Sequence, residues 1–162
     1  MTQAQAVLDK LNELGIAFER VEHPPVATVA EAEEHWAGID AAHCKNLFLR
    51  NQRSDRHYLV IVAAGKRVDL RRVADQVGDG KLSFASPERL MKYLGVTPGS
   101  VSPFGLMHDQ ARHVRVFVDR DLIQAERITF HPNDNTSTLI LAVADFQRFL
   151  THVGHVVRLI AV

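Results

Sequence analysis

The sequence is poor in cysteine, and it lacks long apolar runs. Its single cysteine, Cys44, excludes an internal disulfide and suits a reducing compartment, so we expect a cytoplasmic protein. No apolar stretch approaches the roughly 20 residues that a membrane-spanning helix requires. The N-terminus lacks the basic patch and apolar run of a secretory signal. These absences predict a protein without a membrane partner.

The sequence also lacks the common metal and nucleotide motifs. Nine histidines are present, but no compact His/Cys/Asp spacing of the zinc type. Neither a GxxxxGK phosphate loop nor a dinucleotide-binding GxGxxG is found. We therefore predict no metal and no cofactor.

What the chain does contain is enough apolar sequence for one folded domain. Its 162 residues are 46% hydrophobic and 23% charged, which is typical of a globular protein with a sizeable core. No repeat or linker interrupts it, so we expect one domain over residues 1–162. Irregular alternation of helices and strands, with a hairpin signal around residues 51–56, favours an α/β domain with a mixed sheet.

The periodicity of apolar residues predicts the individual elements. The expected helices cover residues 2–14, 28–36, 69–77, 86–94 and 145–152. The expected strands cover residues 17–21, 45–49, 58–63, 82–85, 114–118, 128–130, 138–143 and 156–161. Thr28, Ser86 and Asp145 are the predicted N-caps, and residues 95–105 form a loop rich in glycine and proline.

Charge is balanced overall but unevenly distributed. A net charge of zero argues against a nucleic-acid partner, yet a local basic surface can still bind phosphates. Residues 1–42 are acidic, whereas residues 43–72 hold only Asp55 and Asp69 against eight basic side chains: Lys45, Arg50, Arg53, Arg56, Lys66, Arg67, Arg71 and Arg72. These cations form either a phosphate-binding surface or an ordinary solvated one.

Three segments carry side chains or backbone suited to chemistry. Lys45 and Asn46 stand at the head of an apolar strand, where an ammonium needs an anion or a carbonyl oxygen as partner. In residues 99–103, glycine lets backbone N–H groups approach a ligand or an oxyanion. His131 follows a strand and could act as a base, donate a hydrogen bond or shape a pocket. Alternatively, these are a surface lysine, a rigid turn and a histidine packed on Pro132.

A cysteine nucleophile is not expected. Cys44 follows His43, but neighbouring residues of a strand point to opposite faces and are poorly placed to form a dyad. A buried, inert thiol is the better interpretation.

Together these segments resemble the YbaK/prolyl-tRNA synthetase editing-domain superfamily, and within it the free-standing alanyl-tRNA(Pro) deacylases called ProXp-ala or PrdX. The resemblance spans nearly the whole chain. Its motifs are Lys45-Asn46-Leu47-Phe48-Leu49, residues 95–105 and His131-Pro132-Asn133. It implies a mixed, barrel-like sheet flanked by helices. It also implies hydrolysis of the ester in mischarged Ala-tRNA(Pro), by water assisted by a ribose hydroxyl.

The resemblance assigns roles to residues. Lys45, Gly99 and His131 are the expected catalytic residues. Asn46, Ser100, Val101, Ser102 and Pro103 are the expected contacts to the aminoacyl group. Without a synthetase segment the chain is expected to act in trans and to bind the tRNA acceptor end itself. The predicted contacts to tRNA are Lys45, Arg50, Lys66, Arg67, Arg71 and Arg72.

Other functions remain open at this stage. The same fold could remove another amino acid, for example from Cys-tRNA(Pro), or bind tRNA or a synthetase without catalysis. Expected partners are the acceptor end of mischarged tRNA(Pro) and, transiently, prolyl-tRNA synthetase or an elongation factor. DNA is not an expected partner.

Overall fold

The computed structural model describes residues 2–26 and 28–162. The helices are α1 Gln3–Glu13, α2 Val29–Trp36, α3 Leu70–Val77, α4 Pro87–Leu94, α5 Arg120–Ile123 and α6 Val143–Val153, with a 3-10 helix at Pro103–His108. The strands are β1 Phe18–Glu22, β2 Cys44–Arg50, β3 His57–Ala63, β4 Ser83–Phe84, β5 Arg115–Asp119, β6 Arg127–Phe130, β7 Ser137–Ala142 and β8 Val157–Ile160.

The strands form two sheets. The larger has the order β4-β2-β3-β5-β8 and is mixed: β2 is antiparallel to β3 and β4, whereas β5 is parallel to β3 and β8. The smaller, β1-β7-β6, is antiparallel. A bridge between Ala42 and Ile128 links them. The predicted α/β fold with a mixed sheet flanked by helices is confirmed, and the described strands do not close into a barrel.

The larger sheet is covered on both faces, as the side chains of its central strand β3 show. Leu59 and Ile61 point into the main core, which also takes side chains from α1, α4, α6 and the smaller sheet. Tyr58, Val60 and Val62 point the opposite way, toward α3. A strand buried on both faces is a continuous apolar run rather than an alternating one, as residues 58–63 are.

Helix caps were predicted with mixed success. Thr28 and Ser86 are N-caps as predicted, because their hydroxyls accept hydrogen bonds from the backbone N–H groups of Glu31 and Arg89. The prediction for Asp145 was wrong. Strand β7 runs directly into α6, so Ala142 is the N-cap and Asp145 lies in the first turn, 2.8 Å from Arg148. The last three residues of the predicted loop 95–105 belong instead to the 3-10 helix Pro103–His108.

A buried histidine near the hairpin end of β2 gives the fold a dependence on pH. His57 is fully buried, with Nδ1 2.9 Å from Nε2 of His113, and Nε2 accepts a hydrogen bond from Arg89 at 3.3 Å. Its ring stacks on Phe48 and lies against Tyr93. Burial, followed by the neighbouring His113 and Arg89, lowers the pKa of His57 to about 4.

We expect acid to destabilise the protein partly through His57. Between its usual pKa of about 6.5 in the unfolded chain and its folded pKa of about 4, only the unfolded state takes up the proton. The free energy of unfolding should therefore fall as pH drops through this window, by about 2–3 kcal/mol from this group. Urea unfolding from pH 7 to pH 4 should give a shallower slope for His57→Gln than for the wild type. Equal slopes would contradict the assignment.

Candidate active site

Four segments that are distant in the sequence meet around one small cleft. They are the start of β2, helix α2 with Val26 and Thr28 ahead of it, the loop after α4, and the turn between β6 and β7. The cleft holds about 210 Å³, below the roughly 300–1,000 Å³ of sites for drug-sized ligands. Its lining residues are Val26, Thr28, Ala32, Trp36, Cys44, Lys45, Asn46, Gly99, Val101 and His131.

The cleft has a positive charge and no carboxylate among these lining residues. Lys45, at the start of β2, supplies the charge, and its Nζ donates a hydrogen bond to the main-chain oxygen of Lys66. An ammonium has three donors, so two remain for a ligand. Asn46 follows it, and its Oδ1 is buried without a hydrogen-bond partner among the described residues. The cleft therefore offers a donor at Lys45, and Asn46 adds a buried acceptor that has no partner among the described residues.

The loop after α4 turns toward the cleft at Gly99. Gly99 has φ of +89°, and it lines the cleft together with Val101. Ser102 is fully buried: its hydroxyl donates to Asn133 Oδ1 at 2.8 Å and accepts from the N–H of Phe104. Ser100 and Pro103 are buried as well, outside the cleft wall. Of the predicted loop contacts, the structure brings Gly99 and Val101 to the cleft, whereas Ser102 holds the loop in place.

The turn between β6 and β7 ties the cleft together. Besides the bond from Ser102 to Asn133, the Nδ2 of Asn135 donates to the main-chain oxygen of Val26 at 2.9 Å. The N–H of Val26 in turn donates to the main-chain oxygen of Asn135 at 3.3 Å. The same turn carries His131. Its two asparagines thus fix both the loop after α4 and the segment ahead of α2.

Burial favours the neutral form of His131. Its Nδ1 lies 3.0 Å from the main-chain oxygen of Ser137. A carbonyl only accepts, so Nδ1 carries a proton, and in the neutral form Nε2 keeps a lone pair. Burial is the main cause that lowers the pKa of His131, and the nearby His23 contributes. The imidazole can therefore accept a hydrogen bond from a hydroxyl or a water molecule.

Cys44 lines the cleft but is a poor nucleophile. Burial strongly raises the pKa of its thiol, and Sγ contacts the main-chain oxygen of Thr129 at 3.4 Å. His43 does not activate it, because its Nδ1 bonds to Oγ1 of Thr129 at 2.9 Å and its ring stacks on Trp36. Since the thiolate is the reactive species, this geometry agrees with the inert cysteine predicted from the sequence.

The apolar wall of the cleft was not predicted from the sequence. Val26 and Ala32 are buried, and Trp36, the last residue of α2, also lines the cleft. The available signal was the capping box at Thr28. It predicts where α2 starts, but it does not predict which segment packs against the buried face of the helix. That partner is chosen by tertiary packing.

The predicted tRNA contacts occupy different places. Lys45 lines the cleft, whereas Arg50 lies at the other end of β2, about 17 Å away for five strand residues. Lys66 is paired with Asp119 and Asp121. The remaining three are exposed on and before α3: Arg67, Arg71 and Arg72. The exposed arginines remain the predicted phosphate contacts.

Comparison with known families agrees with this cleft. The sequence profile described as "Aminoacyl-tRNA editing domain" matches residues 23–149, which include every segment that lines the cleft. The chain belongs to the aminoacyl-tRNA editing domain family. The resemblance predicted from the motifs is confirmed, and so is the class of activity, aminoacyl-tRNA deacylation.

Several relatives match this editing domain over nearly their whole length. "Prolyl-tRNA editing protein ProX" of Acetoanaerobium sticklandii is 40% identical over 99% of this chain and 98% of its own. "Prolyl-tRNA synthetase associated domain-containing protein 1" of Bos taurus is 34% identical over 93% and 90%. "Multifunctional Ser/Thr-tRNA deacylase ProXp-y" of Escherichia coli is 26% identical over 89% and 86%.

A solved structure supports the fold of the editing domain. A protein described as a candidate trans-editing enzyme for prolyl tRNA synthetase superimposes with a TM-score of 0.73 at 23% identity, over 97% of this chain and 95% of its own. Within residues 2–26 and 28–162, no helix has the length and apolar character needed to cross a membrane.

Proposed function

We propose that this editing domain acts in trans as a hydrolase that removes alanine from Ala-tRNA(Pro). The observation that carries the proposal is the cleft itself, in which the Lys45 ammonium, the Gly99 backbone and the His131 imidazole surround one space of about 210 Å³. The name of the ProX relative, which is 40% identical over 99% of the chain, supports prolyl-tRNA as the edited species. Such an activity belongs in the cytoplasm, where tRNA is charged.

The position of the cleft walls, rather than the total volume of the cleft, provides the proposed selectivity. A synthetase pocket built for proline admits alanine, because a missing methylene changes binding by only about 1–3 kcal/mol. A second, smaller site removes the error by admitting alanine and excluding the larger proline ring. Buried Val26 and Ala32 supply the wall that would meet the extra atoms.

The proposed reaction uses water as nucleophile. Water attacks the ester carbonyl carbon, the bond to the ribose oxygen breaks, and the proton passes to that oxygen. Donors at Lys45 and in the backbone near Gly99 stabilise the charge on the carbonyl oxygen. His131 Nε2 accepts a hydrogen bond from the water or from the adjacent ribose hydroxyl, which assists the attack. No protein nucleophile is required, consistent with the protonated Cys44 thiol.

A panel of charged tRNAs tests the proposal. Purified protein is incubated with Ala-tRNA(Pro), Cys-tRNA(Pro), Ser-tRNA(Pro), Thr-tRNA(Pro) and Pro-tRNA(Pro), and release of each amino acid is compared with spontaneous loss. We expect rapid release of alanine and no acceleration for proline. Alanine release at the spontaneous rate would overturn the proposal. Faster release of cysteine, serine or threonine would reassign the substrate, and tight tRNA binding without any release would indicate a non-catalytic module.

Filling the cleft should impair hydrolysis of alanine. Ala32 is buried on α2 and lines the cleft, so Ala32→Leu places three more carbons where the substrate methyl group binds. We expect kcat/KM for Ala-tRNA(Pro) to fall by at least about tenfold, because even one methylene of mismatch changes discrimination by about 10–200-fold. Ala30→Leu is the matched control, because Ala30 is exposed on the same helix. Equal rates for the two variants would show that Ala32 does not face the substrate.

A further inference from the structure

Lys66 was predicted as a tRNA contact, but its ammonium already contacts three protein groups. Its Nζ lies 2.8 Å from Asp119 Oδ2, 2.6 Å from Asp121 Oδ2 and 2.9 Å from the main-chain oxygen of Val162. Three acceptors occupy the three donors of the ammonium. Lys66 therefore has no donor left for a phosphate in this arrangement.

The carboxylate that binds Lys66 also organises the surrounding backbone. Asp119, at the end of β5, is fully buried. Its Oδ2 accepts from the N–H of Ala63 at 3.2 Å, and its Oδ1 accepts from the N–H of Asp121 at 3.0 Å. The N–H of Lys66 donates to the main-chain oxygen of Ala63 at 3.1 Å. The turn that follows β3 is thus fixed by its backbone and by the Lys66 side chain together.

This turn holds the lysine of the candidate active site. The main-chain oxygen of Lys66 accepts the hydrogen bond from Nζ of Lys45. A lysine side chain has four flexible methylene groups and a point charge, so its ammonium needs an anchor to occupy one position. The Lys66 carbonyl supplies that anchor, and the Lys66 side chain fixes the carbonyl.

We propose that Lys66 is a positioning residue for the editing reaction and acts through Lys45 rather than by contacting tRNA. The inference rests on the proposed function of the cleft. Asp119 binds the Lys66 ammonium, the ammonium fixes the turn, and the turn presents the carbonyl that aims Lys45 at the substrate. Without the Lys66 charge the carbonyl shifts, and the Lys45 ammonium no longer occupies one position.

A double-mutant cycle tests this coupling. Single-turnover hydrolysis of Ala-tRNA(Pro) is measured for Lys66→Met in the wild-type and in the Lys45→Ala background. We expect a loss of about tenfold in the wild-type background, since small displacements of a positioning group are costly, and a loss of less than about twofold without Lys45. Lys81→Met is the matched control, because Lys81 is exposed. Losses of equal size in both backgrounds, or no loss, would overturn the proposal.

Two further variants separate positioning from a direct tRNA contact and from damage to the fold. Lys66→Arg retains a cation between the two carboxylates and should recover most of the rate. The salt dependence of kcat/KM should be unchanged in Lys66→Met, whereas a lost phosphate contact would reduce the slope by about 0.7–0.9. If Lys66→Met does not fold by circular dichroism, Asp121→Asn replaces it, since Asp121 is exposed. The single-turnover rate of Asp121→Asn should be about threefold lower, again only when Lys45 is present.

A readout without substrate distinguishes this inference from the proposed function. Proteins are labelled with ¹⁵N-lysine, and the Nζ–H signal of Lys45 is identified by its loss in Lys45→Ala. The hydrogen bond to Lys66 should slow the exchange of these protons with water. We expect the signal to vanish or shift in Lys66→Met. An unchanged signal would overturn the positioning role even if the protein deacylates none of the tRNAs. If the protein hydrolyses Ala-tRNA(Pro) but the rate losses of Lys66→Met and Lys45→Ala are additive, the positioning role is overturned and the proposed function stands.

Discussion

Lys45→Ala is expected to lower kcat/KM for Ala-tRNA(Pro) by about a hundredfold while leaving the fold intact. Lys45 contributes a charged hydrogen bond to the cleft, and charged hydrogen bonds are worth about 1.5–3 kcal/mol. At about 1.4 kcal/mol per tenfold change in rate, that corresponds to a loss between about tenfold and about 150-fold. Single-turnover deacylation measures it directly.

The structure predicts that this loss is not caused by unfolding. Lys45 is only half-buried, and its one hydrogen bond within the described residues is to the oxygen of Lys66. The melting temperature should therefore change little, and Lys81→Ala should change neither rate nor stability. Lys45→Arg should restore only part of the activity, because a planar guanidinium does not replace a compact ammonium. Wild-type kinetics in Lys45→Ala would remove this residue from the site.

Gly99→Ala is expected to reduce turnover by between tenfold and a hundredfold. Gly99 has φ of +89°, where an added Cβ costs about 1–2 kcal/mol. Space is not the problem, because the new Cβ would lie 3.8 Å from Nδ2 of Asn135, an ordinary contact. The backbone would instead relax, and the loop that lines the cleft at Gly99 and Val101 would shift relative to the bound ester.

The matched control for this variant is Gly80→Ala. Gly80 also has open space around it, but it does not have a left-handed φ. Rates of deacylation and urea unfolding curves are compared for both variants. Gly80→Ala should be neutral, whereas Gly99→Ala should lose turnover and about 1 kcal/mol of stability. If both variants keep the wild-type rate, the backbone at Gly99 takes no part in catalysis.

Local signals in the sequence account for most of the elements. The capping hydroxyls of Thr28 and Ser86 act over three residues, so their pattern is visible without the fold. The Asp145 cap failed for the same reason: an acidic residue near a helix start resembles a cap, but the end of β7 determines where α6 begins. Strand order and the division into two sheets depend on contacts between distant segments, and no local pattern records them.

The candidate site was predicted in part. Lys45, Gly99 and His131 attracted attention because a charge, a glycine-rich loop and a histidine adjoin predicted strands, and the structure brings all three to one cleft. Lys66 has the same sequence signature as an exposed lysine, yet its ammonium is bound by Asp119, which lies 53 residues further along the chain. Val26 and Ala32 carry no chemical signal at all, and they became visible only as the wall of the cleft.

The sequence by itself determined the family and supplied candidate residues for the site, because the motifs are contiguous and their chemistry is intrinsic to the residue types. The tertiary structure decided which of those residues share a cleft, how large it is and which charges are already neutralised. It also decided that burial lowers the pKa of His131 and raises the pKa of the Cys44 thiol. Burial and pairing depend on neighbours more than 80 residues apart, such as Cys44 and Thr129, and only folding brings these together.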